Sequence, residues 1–139
     1  MTGYCVRIAA RSIGRDAKVA EVVATLRRQG IGALVVVNED DGVVGIISER
    51  DVLRGLADQG AAVLDRTVDT LMTSAVITCK PEDRANAVMA MMSNRRVRHM
   101  PVVVDGKLTG IVSIGDIVKK RLDEVQMEAD AMRDFIATA

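Results

Sequence analysis

Two serine–aspartate pairs are the side chains in this sequence best suited to bind a ligand. The pattern Gly-x-x-Ser-x-x-Asp ends once in Ser48 and Asp51 and again in Ser113 and Asp116. An ionised carboxylate offers only acceptors, so it can accept hydrogen bonds from two neighbouring hydroxyls such as those of a ribose. The serine hydroxyl can donate to a sugar or phosphate oxygen. A helix N-terminus at the same place would add a site for an anion.

The same spacing also has a purely structural explanation. A serine followed three residues later by an acidic residue forms a capping box, in which the two side chains satisfy backbone N–H groups at the start of a helix. The aspartate would also complement the positive end of the helix dipole. For a single copy this is the better explanation, so the case for a ligand depends on what surrounds the two copies.

The chain contains two copies of one unit. The motif glycines Gly45 and Gly110 lie 65 residues apart, whereas the segments before them, 31–37 and 97–103, match at an offset of 66 residues. The apolar positions of a predicted helix further upstream match at the larger offset as well. A single-residue indel in the turn between two strands reconciles the offsets. Similarity over a helix and two strands indicates a repeat architecture.

Each copy has the pattern β-α-β-β-α. Helical spacing predicts a first helix over 19–26, which Gly30 ends. The β-branched runs Ala33–Val37 and Val43–Ile47 predict a hairpin, and the dipeptide Asp105-Gly106 marks its turn in the second copy. The other predicted elements are short strands near Ser12–Ile13 and Val76–Cys79, and helices from Ser48 to about Ala57 and from Ser113 to about Val125.

These elements predict a mixed α/β (α+β) fold of two β-α-β-β-α repeats, related by a pseudo-twofold axis and packed sheet to sheet. The Val-rich strands lack polar alternation, which favours coverage of both sheet faces. We set the repeats at residues 1–62 and 63–139. The tail from Lys119 extends the last helix. Its apolar side, which includes Leu122 and Phe135, predicts an association surface or a cap.

Composition narrows the possible functions. Basic and acidic residues number 19 each, which gives a net charge of zero, and aromatics make up 1% of the chain. Both values disfavour binding to nucleic acid. No run approaches the roughly 20 apolar residues that span a bilayer. No signal-peptide pattern is present, so we expect a cytoplasmic location. Cys5, Cys79 and His99 are too scattered to predict a metal site.

The doubled unit resembles the CBS (cystathionine β-synthase) domain pair, also called a Bateman module, over nearly the whole chain. The resemblance rests on the hairpins and on Gly45-x-x-Ser48-x-x-Asp51, Gly110-x-x-Ser113-x-x-Asp116, Leu71-Met72-Thr73 and Val76-Ile77-Thr78. It implies that Asp51 and Asp116 hold the ribose of AMP, ADP, ATP, NAD or S-adenosylmethionine, assisted by the motif serines. It also implies an adenine pocket, whose matching positions are Gly32, Ala33, Leu34, His99, Met100, Pro101, Ser12 and Thr78.

One basic stretch distinguishes the second copy, because Arg95-Arg96-Val97-Arg98-His99 stands where the first copy has Gln29-Gly30-Ile31-Gly32-Ala33. A solvated helix end is one explanation, since cations favour the negative end of the helix dipole. A phosphate clamp is the other. The resemblance implies Arg98 and His99 in that clamp, and Arg50 is a further candidate. Gly115 takes the place of Arg50 in the second motif, so we expect unequal sites.

Two functions from different classes follow. The first is a regulatory module that binds an adenine nucleotide, forms a homodimer and acts on a separate effector protein. In it the nucleotide is a regulatory ligand and not a catalytic cofactor. The second is a structural module for dimerisation or docking, with unoccupied clefts. The sequence offers no convincing set of nucleophile and base, so we predict no catalytic residue and no enzyme activity.

Overall fold

The computed structural model describes residues 11–138, apart from the side chain of Thr138. Cys5 and the start of the predicted first repeat lie outside the described residues. The strands are β1 (Ser12–Gly14), β2 (Ala33–Val37), β3 (Val43–Ser48), β4 (His99–Val104) and β5 (Lys107–Ser113). The helices are α1 (Val19–Gln29), α2 (Glu49–Gln59), α3 (Ala85–Arg95) and α4 (Ile114–Thr138). Short 3₁₀ helices cover Gly60–Asp65 and Val68–Thr70.

The strands form two small sheets, one in each repeat. In the first repeat β1 pairs parallel with β2, and β2 pairs antiparallel with β3. In the second repeat β4 pairs antiparallel with β5. The predicted mixed α/β fold is therefore confirmed, with four helices that include a long C-terminal one.

The strand pairings repeat with the offsets seen in the sequence. Ala33 pairs with Ser48 at the motif end of one hairpin, and His99 pairs with Ser113 at the same place in the other. An irregularity in register follows Val36 in the first hairpin and Val102 in the second. The serine of each motif therefore occupies the equivalent position at the end of its hairpin, and the following helix starts there.

The predicted strand Val76–Cys79 is wrong except at its last residue. Cys79 forms a single parallel bridge with Val102, which matches the pairing of Ile13 with Val36 in the first repeat. Upstream, Thr73 instead bridges to Ile46 of β3. This segment crosses from one repeat to the other, so it pairs with each sheet at one residue and forms no continuous strand.

Each repeat has its own apolar core. In the first, Val22 and Leu26 of α1 pack with Leu34, Val36 and Ile47 of the hairpin. The buried core of the second consists of Cys79, Ala85, Val88, Met92, Met100, Val102, Val112 and Ile117. The β-branched strands supply most of the hairpin surface in both, as their strand propensity predicts.

The connection between the repeats packs on the first one. Val68 is fully buried in the first core, and Leu71 and Met72 pack against that core. Val63 is fully buried as well. The predicted boundary after residue 62 therefore falls inside a segment whose packing belongs with the first repeat, because its apolar side chains cover α1 and α2.

Candidate functional site

A cleft of about 490 Å³ opens at the first motif, between the two repeats. The first repeat supplies Gly32 and the start of α2, and the second supplies the chain that leads into β4. The lining residues are Gly32, Ile46, Ser48, Glu49, Arg50, Asp51, Arg54, Thr73, Ala75, Val76, Ile77, Arg96, Val97, Arg98 and His99. The structure thus brings together six of the predicted binding residues from the two copies, namely Gly32, Ser48, Arg50, Asp51, Arg98 and His99.

Ser48 and Asp51 form the predicted capping box at the start of α2. The backbone N–H of Ser48 donates to Asp51 Oδ2 at 2.9 Å, and the backbone N–H of Asp51 donates to Ser48 Oγ at 3.3 Å. The Ser48 hydroxyl also donates to Asp51 Oδ2 at 3.1 Å. These contacts fix the carboxylate on the wall of the cleft, where its Oδ1 takes no part in the cap.

Two further side chains engage the other oxygen of Asp51. Thr73 donates its hydroxyl to Asp51 Oδ1 at 3.2 Å, and Arg54 Nη1 lies 3.5 Å from the same oxygen. Asp51 is consequently only 6% exposed. The sequence analysis missed both partners. Arg54 follows Asp51 by one helical turn and could have been found from that spacing, whereas Thr73 lies 22 residues away.

The cleft carries a concentration of positive charge. Arg50, Arg54, Arg96 and Arg98 line it, against the two acidic residues Glu49 and Asp51. Arg96 ends α3 in the left-handed conformation with φ 55°, at the position where Gly30 ends α1. Few residues other than glycine adopt this conformation, which costs free energy and is often found at functional sites. Arg96 was seen in the basic stretch but was not predicted as a binding residue.

His99 lies where the two repeats meet. A Cβ added at Gly32 would be 3.1 Å from Glu49 Oε1 and 3.7 Å from His99 Cε1 and Nε2, which places both side chains beside this glycine. Burial, and then the neighbouring Arg98 guanidinium, lower the pKa of His99, while Glu49 and Asp116 act in the opposite direction. The imidazole therefore senses acidic groups from both motifs.

The second motif keeps two of the three hydrogen bonds that join serine and aspartate in the first, and it has fewer neighbours. Ser113 donates its hydroxyl to Asp116 Oδ2 at 2.7 Å and accepts from the backbone N–H of Asp116 at 3.2 Å. Among the described residues, no hydrogen bond reaches Asp116 Oδ1, and this carboxylate is half-buried. Neither residue lines the first cleft.

The remaining predicted pocket residues do not line the cleft either. Leu34 and Met100 are fully buried in the two cores, so their side chains do not reach this cleft. Ala33 and Pro101 are buried beside them. Their strands are covered on both faces of the sheet, so the side chains that point to either face are shielded from the surface. Ser12 and Thr78 are exposed elsewhere on the chain.

Comparison with known proteins agrees with the doubled motif. The model of the CBS domain matches residues 9–58 and 68–123. A mitochondrial CBS domain-containing protein of Arabidopsis thaliana is 36% identical over 125 residues, which make up 87% of this chain and 61% of that protein. The chain thus spans about three fifths of the length of this relative. Inosine-5′-monophosphate dehydrogenase of Methanocaldococcus jannaschii is 32% identical over 111 residues, 21% of its length.

Solved structures show the same fold. A CBS-domain containing protein of Agrobacterium tumefaciens is 41% identical, with a TM-score of 0.76 over 83% of this chain and 85% of that one. The CBS domain pair of protein MJ0100, in complex with 5′-methylthioadenosine and S-adenosyl-L-methionine, is 28% identical, with a TM-score of 0.72 over 88% of this chain and 93% of that one.

Neither membrane-spanning nor metal-binding features occur in the described part of the chain. Within residues 11–138, no helix has the length and hydropathy to cross a bilayer. The same residues contain no group of three or more His, Cys, Asp or Glu side chains arranged to hold a metal ion. With both repeats matched by the family model over most of the chain, the protein belongs to the CBS domain family and is a CBS domain pair, a regulatory module.

Proposed function

We propose that this CBS domain pair regulates by binding an adenine nucleotide in the cleft at the first motif. The observation that carries the proposal is the meeting, in one cleft, of Asp51 from the first repeat with Arg98 and His99 from the second. A carboxylate accepts hydrogen bonds from ribose hydroxyls, and guanidinium groups donate to phosphate oxygens. The cleft volume of about 490 Å³ lies within the range of small-molecule sites.

The charge of the lining favours a ligand with phosphates. Because Arg54 already pairs with Asp51, the remaining guanidinium groups of Arg50, Arg96 and Arg98 face one acidic side chain, Glu49. A phosphate would neutralise this excess positive charge. S-adenosylmethionine carries a sulfonium cation and methylthioadenosine has no phosphate. AMP, ADP, ATP or NAD therefore fits this cleft better than the ligands of the MJ0100 domain pair.

Ribose binding at Asp51 would replace hydrogen bonds that the carboxylate makes without a ligand. Oδ2 belongs to the capping box, so the sugar hydroxyls would compete with Thr73 and Arg54 for Oδ1. The apolar side chains of Ile46, Val76 and Ile77 line the same cleft and would contact the base. A ligand bound in this way would touch both repeats and the segment between them.

Regulation of this kind needs no reaction in the cleft. The Ser48 hydroxyl donates to Asp51 Oδ2 and accepts from the backbone N–H of Asp51, so both of its hydrogen-bonding roles serve the cap of α2. We therefore propose that the chain is a non-catalytic module and forms a homodimer. Ligand binding to this homodimer would change the activity of a separate effector protein. On composition alone, we place it in the cytoplasm.

Calorimetric titration tests the choice of ligand. We expect ADP to bind at least about tenfold more tightly than adenosine or S-adenosylmethionine, a difference of roughly 1.4 kcal/mol. Arg98→Gln should weaken ADP binding and leave adenosine binding unchanged. Arg95→Gln is the matched control, because Arg95 is the last residue of α3, three residues before Arg98, and does not line the cleft. Equal affinity for ADP and S-adenosylmethionine, or binding of neither, would refute the proposal.

A second candidate function, docking without a nucleotide, is favoured by one other observation. A groove of about 500 Å³ lies between α1 and α2, and its apolar lining includes Val23, Ile31, Leu53 and Leu56. Leu53 is 68% exposed. An apolar groove of this kind marks an association surface. The same titrations decide between the two functions, because a docking module would bind none of the adenine compounds.

A further inference from the structure

The last helix extends well beyond the second core. Glu124 is the final buried residue of α4, and every residue from Val125 to Ala137 is exposed. The exposed part includes large apolar side chains, among them Met132 at 64% and Ile136 at 70%. Isolated helices of this length are marginal in water, and most helices gain their stability from the packing of an apolar face.

Six of the exposed apolar positions of α4 follow a heptad, and Met127 and Phe135 lie outside it. The six recur at alternating spacings of four and three residues and are Val118, Leu122, Val125, Ala129, Met132 and Ile136. This 3.5-residue period keeps a narrow stripe on one side of a helix and is the pattern by which two helices form a coiled coil. A helix that packs on a globular core shows a wider stripe. The stripe spans about 28 Å at a rise of about 1.5 Å per residue.

The charges beside the stripe match a second, parallel copy. With Val125 and Met132 at d positions and Ala129 at an a position, Glu128 takes a g position and Arg133 the following e position. In a parallel dimer, a g residue of one helix faces the next e residue of the other, so Glu128 of each chain would meet Arg133 of its neighbour. Arg133 is 74% exposed on its side chain and lies 3.5 Å from Asp130 of its own helix, a surface ion pair weak enough to be exchanged for Glu128. The other g–e′ pair along the stripe, Arg121 with Gln126, is not oppositely charged.

We propose that the α4 tails of two copies of this chain pair as a short parallel coiled coil along this stripe. The pairing extends the homodimer named above as part of the proposed function, and it needs neither the nucleotide cleft nor the groove between α1 and α2. It would bury the apolar side chains that α4 leaves in water and would join the second repeats of the two copies.

Disulfide formation between full-length chains tests this pairing. In a Cys5→Ser background, with Cys79 buried, we would introduce Ala129→Cys at the centre of the stripe. Ala131→Cys, on the outer side of the same helical turn, is the matched control. Equivalent a residues face each other in a parallel dimer, so under mild oxidation Ala129→Cys should cross-link at least about tenfold faster than Ala131→Cys.

A second pair of variants separates the stripe from helix stability. Leu122→Glu with Met132→Glu should abolish the cross-link of the Ala129→Cys chain, whereas Met127→Glu with Ala131→Glu adds the same charge on the outer side and should leave it intact. Sedimentation of the parent chain completes the test. A dimer in which the two cysteine variants react at equal rates would overturn the tail pairing and leave the homodimer standing. A monomer at every concentration would overturn both.

Discussion

The two repeats of this protein share a motif and differ in what surrounds it. Asp51 accepts hydrogen bonds from Ser48 and Thr73, pairs with Arg54, and is 6% exposed. Asp116 has only Ser113 as a side-chain hydrogen-bonding partner among residues 11–138 and is half-buried. The serine–aspartate hydrogen bonds are therefore a local property of the sequence pattern, whereas the further contacts of Asp51 depend on groups that the fold brings to it.

The largest expected effect on the free energy of unfolding tests the two repeats at a matched pair of core residues. Leu34 and Met100 are 66 residues apart and both fully buried. Leu34→Ala and Met100→Ala should each lower the free energy of unfolding by about 2–5 kcal/mol, because each leaves a cavity. Denaturant unfolding measures the loss. The affinity of the folded fraction for the nucleotide should stay constant in both variants. A selective loss of affinity in either one would indicate that the substituted residue contacts the nucleotide.

A smaller effect is expected when the first motif is made to resemble the second. Thr73→Val removes the hydroxyl that donates to Asp51 Oδ1 and keeps the shape of the side chain. Loss of one hydrogen bond to a charged group should lower the free energy of unfolding by about 1.5 kcal/mol. Freeing an acceptor for the ribose should at the same time tighten nucleotide binding. Thr70→Val is the control, because its hydroxyl donates to a backbone carbonyl in the connection. Weaker binding in the Thr73 variant alone would indicate that this hydroxyl contacts the ligand.

The smallest effect is a pH dependence that arises at the contact between the repeats. The pKa of His99 is lowered by burial and by Arg98. The unfolded chain therefore binds a proton first as the pH falls, which favours unfolding. Stability should be fully present above the ordinary histidine pKa of about 6.5 and should decrease as the pH falls towards the lowered value. Thermal melts of the parent and of His99→Gln, which lacks this titration, measure it. An identical slope in both proteins over this range would contradict the prediction.

Local pattern was sufficient to predict most of the fold. α1 and α3 are equally long and start 66 residues apart, as the sequence offset predicts. The hairpins pair as predicted. The capping box of Ser48 and Asp51 followed from serine and aspartate at a spacing of three residues. The segment Val76–Cys79 was predicted as a strand because its residues favour one, but its position between two sheets allows only single bridges.

The site was less predictable than the fold. Nothing near Thr73 in the sequence indicates that its hydroxyl reaches Asp51, since that contact depends on how the connection packs on β3. Burial of Leu34 and Met100 agrees with the missing polar alternation of their strands, whereas their place in the adenine pocket came only from the family resemblance. The basic stretch was visible in the sequence, and only the structure distinguishes Arg96 and Arg98, which line the cleft, from Arg95, which does not.

The most direct test of the account compares the two motif aspartates by calorimetry with ADP. Asp51→Asn should weaken binding by about tenfold to a hundredfold, because it replaces a charged acceptor that the ribose would use. Asp116→Asn, in the matching position of the second repeat, should change the affinity of the first cleft less than about twofold, since Asp116 does not line that cleft and acts on it only through His99. Circular dichroism would verify that both variants fold. Unchanged ADP affinity in a folded Asp51→Asn protein would contradict the claim that this carboxylate binds the nucleotide.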